Sequence, residues 1–302
     1  MKKILTYFYL LFFCSQVSAT SPETMSPSFW IKFFIDRGDI KAHSDLVFEK
    51  PIVYNNDRNY INKIFLPKAE GSFPLIVVMP NCGAVDIHDR NFMKQALQRG
   101  YAAMVFDTHR GFKLNCPPQR KVQWGRMTKD AYDLTTFLST QPSIDINRIY
   151  SVGGSEGGMI GGFLSSPGIK KFTAPNSPRF KANASFYGCA VFPYGTFANQ
   201  TTDTPFMFND TDRPLLWLMG DQDTECLIDE DIKIIKKFQN QKLPIEYHVY
   251  KGATHCWDCV NKNGSKKNMT RKGKTVPVIY KFDETITNES IKRTIDFFDK
   301  HK

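Results

Sequence analysis

From Pro74 onward the chain alternates short apolar runs with longer amphipathic stretches, and that alternation leaves few folds open. "PLIVVMP" (Pro74 to Pro80), "AAMVFDT" (Ala102 to Thr108), "RIYSVGG" (Arg148 to Gly154), "ASFYGC" (Ala184 to Cys189), "PLLWLMG" (Pro214 to Gly220) and "IEYHVYKG" (Ile245 to Gly252) read as strands. Between them, Asp89 to Gly100, Met127 to Pro142 and Asp229 to Gln241 read as helices. A further helix opens after Gly154, and another closes the chain around "NESIKRTIDFFDKH". Strand–helix alternation of this kind implies a mostly parallel central sheet with helices on both faces, an α/β fold. Ahead of it, "LVFEKPIV" and "YINKIFLP" are expected to form an antiparallel pair at the sheet's edge. No repeat or linker interrupts residues 20–302, which read as a single α/β domain.

The first residues stand apart from that domain. "MKK" is a positive leader, "ILTYFYLLFF" an apolar run too short to span a bilayer comfortably, and "VSA" at Val17 to Ala19 puts small residues at a cleavage position. Residues 1–19 are therefore expected to be a signal peptide, and the chain to be periplasmic or extracellular with no stable membrane anchor. A lipoprotein anchored through Cys14 is the rival reading, but Phe12 and Phe13 are too bulky for that processing site. Cleavage removes Cys14 and leaves Cys82, Cys116, Cys189, Cys226, Cys256 and Cys259. An even number of cysteines in an oxidising compartment favours disulfides. "HCWDC" (His255 to Cys259) holds one C-x-x-C without a second pair, too little for a zinc site, so no metal is expected.

The formal charge is +10, or +8 once Lys2 and Lys3 leave with the signal. Its one dense patch, "NKNGSKKNMTRKGK" (Asn261 to Lys274), is expected to be a solvated loop. No nucleic-acid-binding motif accompanies it, and no nucleic-acid partner is expected.

Chemistry enters at "RIYSVGGSEGGMIGGFL", where Ser155 lies between an apolar strand and a helix start. Gly153-x-Ser155-x-Gly157 has the spacing of the nucleophile elbow of α/β-hydrolases. The turn is so sharp that side chains two residues to either side of the nucleophile would collide, and glycine relieves the crowding. The helix that follows offers its N-terminus to developing negative charge. A phosphate-cradling loop is excluded, because no Gly-Lys-Ser/Thr follows and the dinucleotide glycine spacing is not met.

On such a fold the partners follow in the order acid, then histidine. "PLLWLMGDQDTEC" offers Asp221 and Asp223, of which Asp223 is preferred because Asp221 directly follows the strand-ending Gly220. "EYHVYKGATHCWD" places His255 in a loop, whereas His248 falls inside the strand. One oxyanion donor should be the amide after the nucleophile, that of Glu156. The other should come from "PNCGAVD", from Cys82 or its neighbour. If the Asp223 and His255 loops meet, Cys226 should bridge to Cys256 or Cys259. Cys82 and Cys116, which follow neighbouring strands, could close a second bridge, with Cys189 taking what remains or staying free.

From about Pro74 to the C-terminus the chain resembles the dienelactone hydrolase branch of the α/β-hydrolases, through "VVMPNCGA", "GYAAMVFDTHRGF", "GGSEGG", "MGDQD" and "YKGATHCWD". The resemblance implies a Ser155, Asp223, His255 triad and an oxyanion hole of the Cys82 and Glu156 amides. Dienelactone hydrolases proper carry cysteine where this chain has Ser155, and usually begin the first loop His-Gly where Asn81 here follows Pro80. The function expected is hydrolysis of a small-molecule carboxylic ester or lactone through an acyl-enzyme, with no cofactor. A secreted peptidase or amidase and a non-catalytic binding protein of the same fold are the alternatives. Turnover of a short-chain aryl ester separates catalysis from binding. Substrate identity and oligomeric state are not legible in the residues.

Overall fold

The computed structural model describes residues 26–37, 40, 42–116, 119–192 and 203–302; the expected signal peptide lies outside them. In chain order come α1 (Pro27–Arg37), β1 (Ile52–Val53), β2 (Ile64–Leu66), β3 (Phe73–Met79), α2 (Ile87–Gln98), β4 (Ala102–Val105), α3 (Trp124–Leu138) and β5 (Ile144–Gly154). There follow α4 (Glu156–Leu164), α5 (Pro167–Thr173), β6 (Ala182–Phe186), β7 (Val191–Phe192), β8 (Thr204–Pro205) and β9 (Leu215–Gly220). The chain ends with α6 (Ile228–Asn240), β10 (Ile245–Tyr250), β11 (Lys266–Arg271), β12 (Lys274–Ile279) and α7 (Glu284–Lys300).

Eight strands form the main sheet in the order β1-β2-β4-β3-β5-β6-β9-β10. β4, β3, β5, β6, β9 and β10 pair in parallel along it. Side chains alternate across this sheet, so each strand feeds two cores. Ile76, Val78, Val105 and Val152 pack on Phe92 and Met93 of α2 and on Ile295 and Phe298 of α7. Leu75, Val77, Met104 and Ile149 pack on α3, α4 and on Trp30 and Phe34 of α1. Leu215 and Trp217 of β9 meet Ile234, Ile235 and Phe238 of α6. Burial on both faces explains the near-continuous apolar runs.

Two expectations need correction. The edge pair is parallel, with Ile52 opposite Phe65, and the antiparallel neighbour of β2 is β4. Asn62 fixes this arrangement: its N–H donates to Val105 O at 2.9 Å, and its side-chain oxygen accepts the Asp107 N–H at 2.8 Å. The start of β2 is thereby fastened against the end of β4, and the outer edge is left to β1. The basic run is likewise not a loop. Most of it folds into the antiparallel β11–β12 hairpin, with Arg271 opposite Lys274 across a tight turn. Lys272 and Gly273 in that turn both have positive φ, as a two-residue hairpin connection demands.

Candidate active site

Parallel strands deliver their loops to one end of the sheet, and the predicted residues gather there. Ser155 follows β5 with φ 46° and ψ −110°, a conformation that a non-glycine residue rarely holds. The neighbours of the turn enforce it. A Cβ on Gly153 would lie 2.7 Å from the Gly157 carbonyl oxygen, and one on Gly157 would lie 2.7 Å from that of Pro80. The Ser155 N–H donates to Phe186 O of β6 at 2.8 Å, which anchors the elbow to the next strand.

His255 arrives from the loop after β10 and Asp223 from the loop after β9. His255 Nε2 lies 3.1 Å from Ser155 Oγ, and its Nδ1 lies 2.8 Å from Asp223 Oδ2. Asp223 Oδ1 accepts the N–H groups of Glu225 and Cys226 at 2.8 and 2.9 Å, so its carboxylate cannot turn away from the ring. With Nδ1–H donating to Asp223, Nε2 is free to accept the Ser155 hydroxyl proton. Asp221 instead accepts the Gly252 N–H at 2.6 Å and ties the loop after β9 to the turn after β10. His248 stays in its strand, half-buried, with its ring edge against Tyr250.

Glu156 begins α4, so its N–H has no acceptor within the helix. In the loop after β3, the Gly83 N–H is taken by Asn81 Oδ1 at 2.8 Å and the Ala84 N–H by Asn81 O at 3.1 Å. Cys82 lies in the same turn, its carbonyl oxygen accepting the Asn115 N–H at 2.7 Å.

All six cysteines among the described residues are bridged: Cys82 to Cys116, Cys189 to Cys226 and Cys256 to Cys259. The expected bridge from Cys226 to Cys256 or Cys259 is therefore absent, although the loops do meet, with Cys226 Sγ 3.9 Å from His255 Nδ1. β6 also neighbours β9, so the loop bearing Cys189 reaches Cys226 from the other side. The 256–259 segment turns back on itself, with the Cys259 N–H on Cys256 O at 3.0 Å, and that closes its own pair. Two sets of potential metal ligands converge among the described residues, His88 with Asp258 and Cys259, and Asp223 with Cys226 and His255. In both, the cysteine is held in a disulfide and is not available as a thiolate.

Three features escape a reading of motifs. The Glu156 side chain points inward, 2% exposed, and gathers Arg120, His109, Trp124 and Asn115. Arg110 pairs with Asp45 and with buried Asp130. Glu225 stands 3.6 Å from His255 Nε2 and takes the Tyr280 hydroxyl at 2.7 Å and Lys267 Nζ at 2.8 Å. Burial disfavours charge on both His255 and Glu225, but mutual attraction outweighs it. His255 is held above its ordinary pKa by Asp223 and Glu225, and Glu225 is drawn down to about 2 by His255, Lys267 and Tyr280.

A mostly parallel sheet with a strained serine at the strand–helix turn makes this an α/β-hydrolase fold. The profile of the dienelactone hydrolase family matches residues 62–302, and the chain belongs to that family. It is 24% identical over 208 residues, 64% of its own length and 79% of the other's, to a Synechocystis protein provisionally named carboxymethylenebutenolidase. Among solved structures it is similar to a dienelactone hydrolase-like promiscuous phosphotriesterase from metagenomic libraries: TM-score 0.54, 19% identity, 77% of this chain and 88% of that one. It is also similar to Thermogutta terrifontis esterase 2 phosphonylated by cyclosarin: TM-score 0.57, 14% identity, 86% of this chain and 94% of that one. At such identities the structural likeness is one of fold, and the family supplies the activity class, a hydrolase of esterase type.

Proposed function

We propose that this hydrolase is exported, loses residues 1–19, and cleaves a small carboxylic ester or lactone with Ser155 as nucleophile. The observation that carries the reading is the unbroken hydrogen-bonded line from Asp223 through His255 to a serine held on a strained elbow. His255 Nε2 takes the Ser155 proton as Oγ attacks the carbonyl. Asp223 holds the imidazole in the required tautomer and stabilises the imidazolium that forms. The Glu156 and Cys82 amides receive the oxyanion, and the α4 N-terminus adds its dipole. The imidazolium returns the proton to the leaving oxygen, and water then repeats the sequence to release the acid.

The test is a panel of short aryl esters, lactones and peptides run beside labelling with a serine-directed phosphonate. One adduct on the parent protein and none on Ser155→Ala, with hydrolysis reduced by several orders of magnitude, is expected. Labelling of Ser155→Ala at the parent's rate places the nucleophile elsewhere. Peptide turnover without ester turnover replaces the substrate class.

A further inference from the structure

Glu225 is not needed by the Asp223–His255–Ser155 line, yet it is built into the site from every side. Its carboxylate is 3.6 Å from His255 Nε2, the nitrogen that also faces Ser155 Oγ, while Asp223 occupies Nδ1. Its side chain is only 12% exposed. The hairpin that the basic run folds into holds it there. Lys267 of β11 pairs with Oε1, the Tyr280 hydroxyl after β12 donates to Oε2, and Arg271 Nε donates to the Glu225 backbone carbonyl at 2.5 Å. Thr224, next to it, donates to Pro277 O at 2.7 Å.

We propose that Glu225 is a positioning residue for the hydrolysis, bracketing the His255 ring opposite Asp223 and deciding with Lys267 when Nε2 carries a proton. The inference rests on the triad reading above. A negative charge beside Nε2 favours the imidazolium, the form His255 takes as Ser155 attacks. The same charge keeps the resting ring protonated to a higher pH, where it cannot act as a base. Lys267 opposes both effects by neutralising Glu225 and repelling the imidazolium. The groups that face His255 are Asp223 and Glu225 from the loop after β9, Lys267 from the hairpin, and the rings of Tyr187 and Tyr280. Behind Glu225 stand two further cations, Arg271 and the half-buried Lys262, which lies over the Tyr280 ring. The carboxylate is thus set between one imidazole and a basic hairpin, and the balance of charge across it tunes the base.

The experiment is the pH dependence of kcat/KM for a neutral aryl ester, whose acid limb reports the free enzyme's base. Glu225→Gln keeps an oxygen for Tyr280 and removes the charge; its acid limb should move down by about one pH unit or more. Lys267→Met, at a half-exposed position, should move the limb the opposite way, upward. NMR titration of the His255 ring in both variants should show the same opposed displacements. Opposite shifts from two partners of one ion pair are not the signature of a structural contact, whose loss would lower stability alike. Acid limbs that coincide with the parent's, in protein whose Ser155 still takes the phosphonate, overturn the proposal. Failure of Ser155 to label overturns the triad reading instead. Should Glu225→Gln not fold, Lys267→Met decides alone.

Discussion

Glu156→Gln tests how far the elbow depends on what lies beneath it. The Glu156 carboxylate is 2% exposed and is surrounded by three hydrogen-bond donors and the His109 ring. Oε1 accepts Arg120 and, at 2.9 Å, Trp124 Nε1; Oε2 meets His109 Nε2 at 3.0 Å and Asn115 Nδ2 at 3.1 Å. An amide cannot serve all of them, since one of its ends becomes a donor facing donors. The Arg120 guanidinium, 11% exposed, is left without its counter-charge. Breaking a buried pair from one side costs about 3–5 kcal/mol, and because Arg120 retains some access to water the lower part of that range is expected. In a chain of this size about 3 kcal/mol lowers Tm by roughly 5 °C. The assay is urea unfolding followed by tryptophan fluorescence, with an unchanged m-value required for the comparison. The sign against pH also follows. Burial pushes the Glu156 carboxyl up, but Arg120 and His109 outweigh it and hold it below its ordinary value. Its contribution is then fully present above the unfolded carboxylate pKa and is lost as pH falls through the lower folded one. The gap between parent and variant should be wide at neutral pH and narrow below about pH 4. Arg120→Met combined with Glu156→Gln should cost less than the two separately. A Glu156→Gln protein within about 0.5 kcal/mol of the parent at pH 7 would refute the reasoning.

Asp223→Asn should lower kcat/KM by roughly 10³–10⁴-fold, while Asp221→Asn, which touches only the Gly252 turn, should be nearly silent; the reverse order reassigns the acid. Gly157→Ala brings a methyl to 2.7 Å from the Pro80 carbonyl oxygen and should destabilise by about 1–3 kcal/mol or more, read by thermal melting; an unchanged Tm removes the steric account of the elbow. Because His255 is held above its ordinary value, activity in the parent should fall as pH drops through a midpoint above about 6.5, and a midpoint below it contradicts the charge balance. Non-reducing peptide mapping should recover the Cys82–Cys116, Cys189–Cys226 and Cys256–Cys259 peptides, and a Cys226–Cys256 peptide would overturn that pairing.

The strands from Pro74 onward are legible because burial on both faces writes itself as uninterrupted apolar runs. The serine elbow is legible because its glycines have no other reason to cluster. Short elements whose partners lie far away in the chain are not. α1 is anchored by Trp30 donating to Pro205 O, 175 residues further on, and nothing local marks it. β11 and β12 carry mostly exposed side chains, so their alternation is diluted by lysines. Ser155, Asp223 and His255 converge because each follows its own strand of one sheet, a relation the order of the elements already implies. Glu225 follows Asp223 by two residues, which was the available signal. Its significance comes from Tyr280 and Lys267, which reach it from beyond β10. The Cys82–Cys116 bridge follows from neighbouring strands, but the partner of Cys226 is not legible, because one strand has two neighbours and sequence order does not say which loop a side chain turns toward.

The three bridges differ in what they do to the chain before it folds. Cys82–Cys116 closes 34 residues and Cys189–Cys226 closes 37, one on each side of β5, and neither spans it. Each removes conformational freedom from the denatured ensemble equivalent to about 4 kcal/mol at room temperature, and the unfolded chain is left as two tethered rings joined by a free hinge that contains the elbow. Cys256–Cys259 closes only 3 residues, and by the same relation is equivalent to roughly 1.5 kcal/mol. Its consequence is geometric: it holds Cys256 at a φ of 59°, fixing the direction in which the chain leaves His255. Two of the covalent links act on the entropy of the disordered chain; the third acts on the aim of one imidazole.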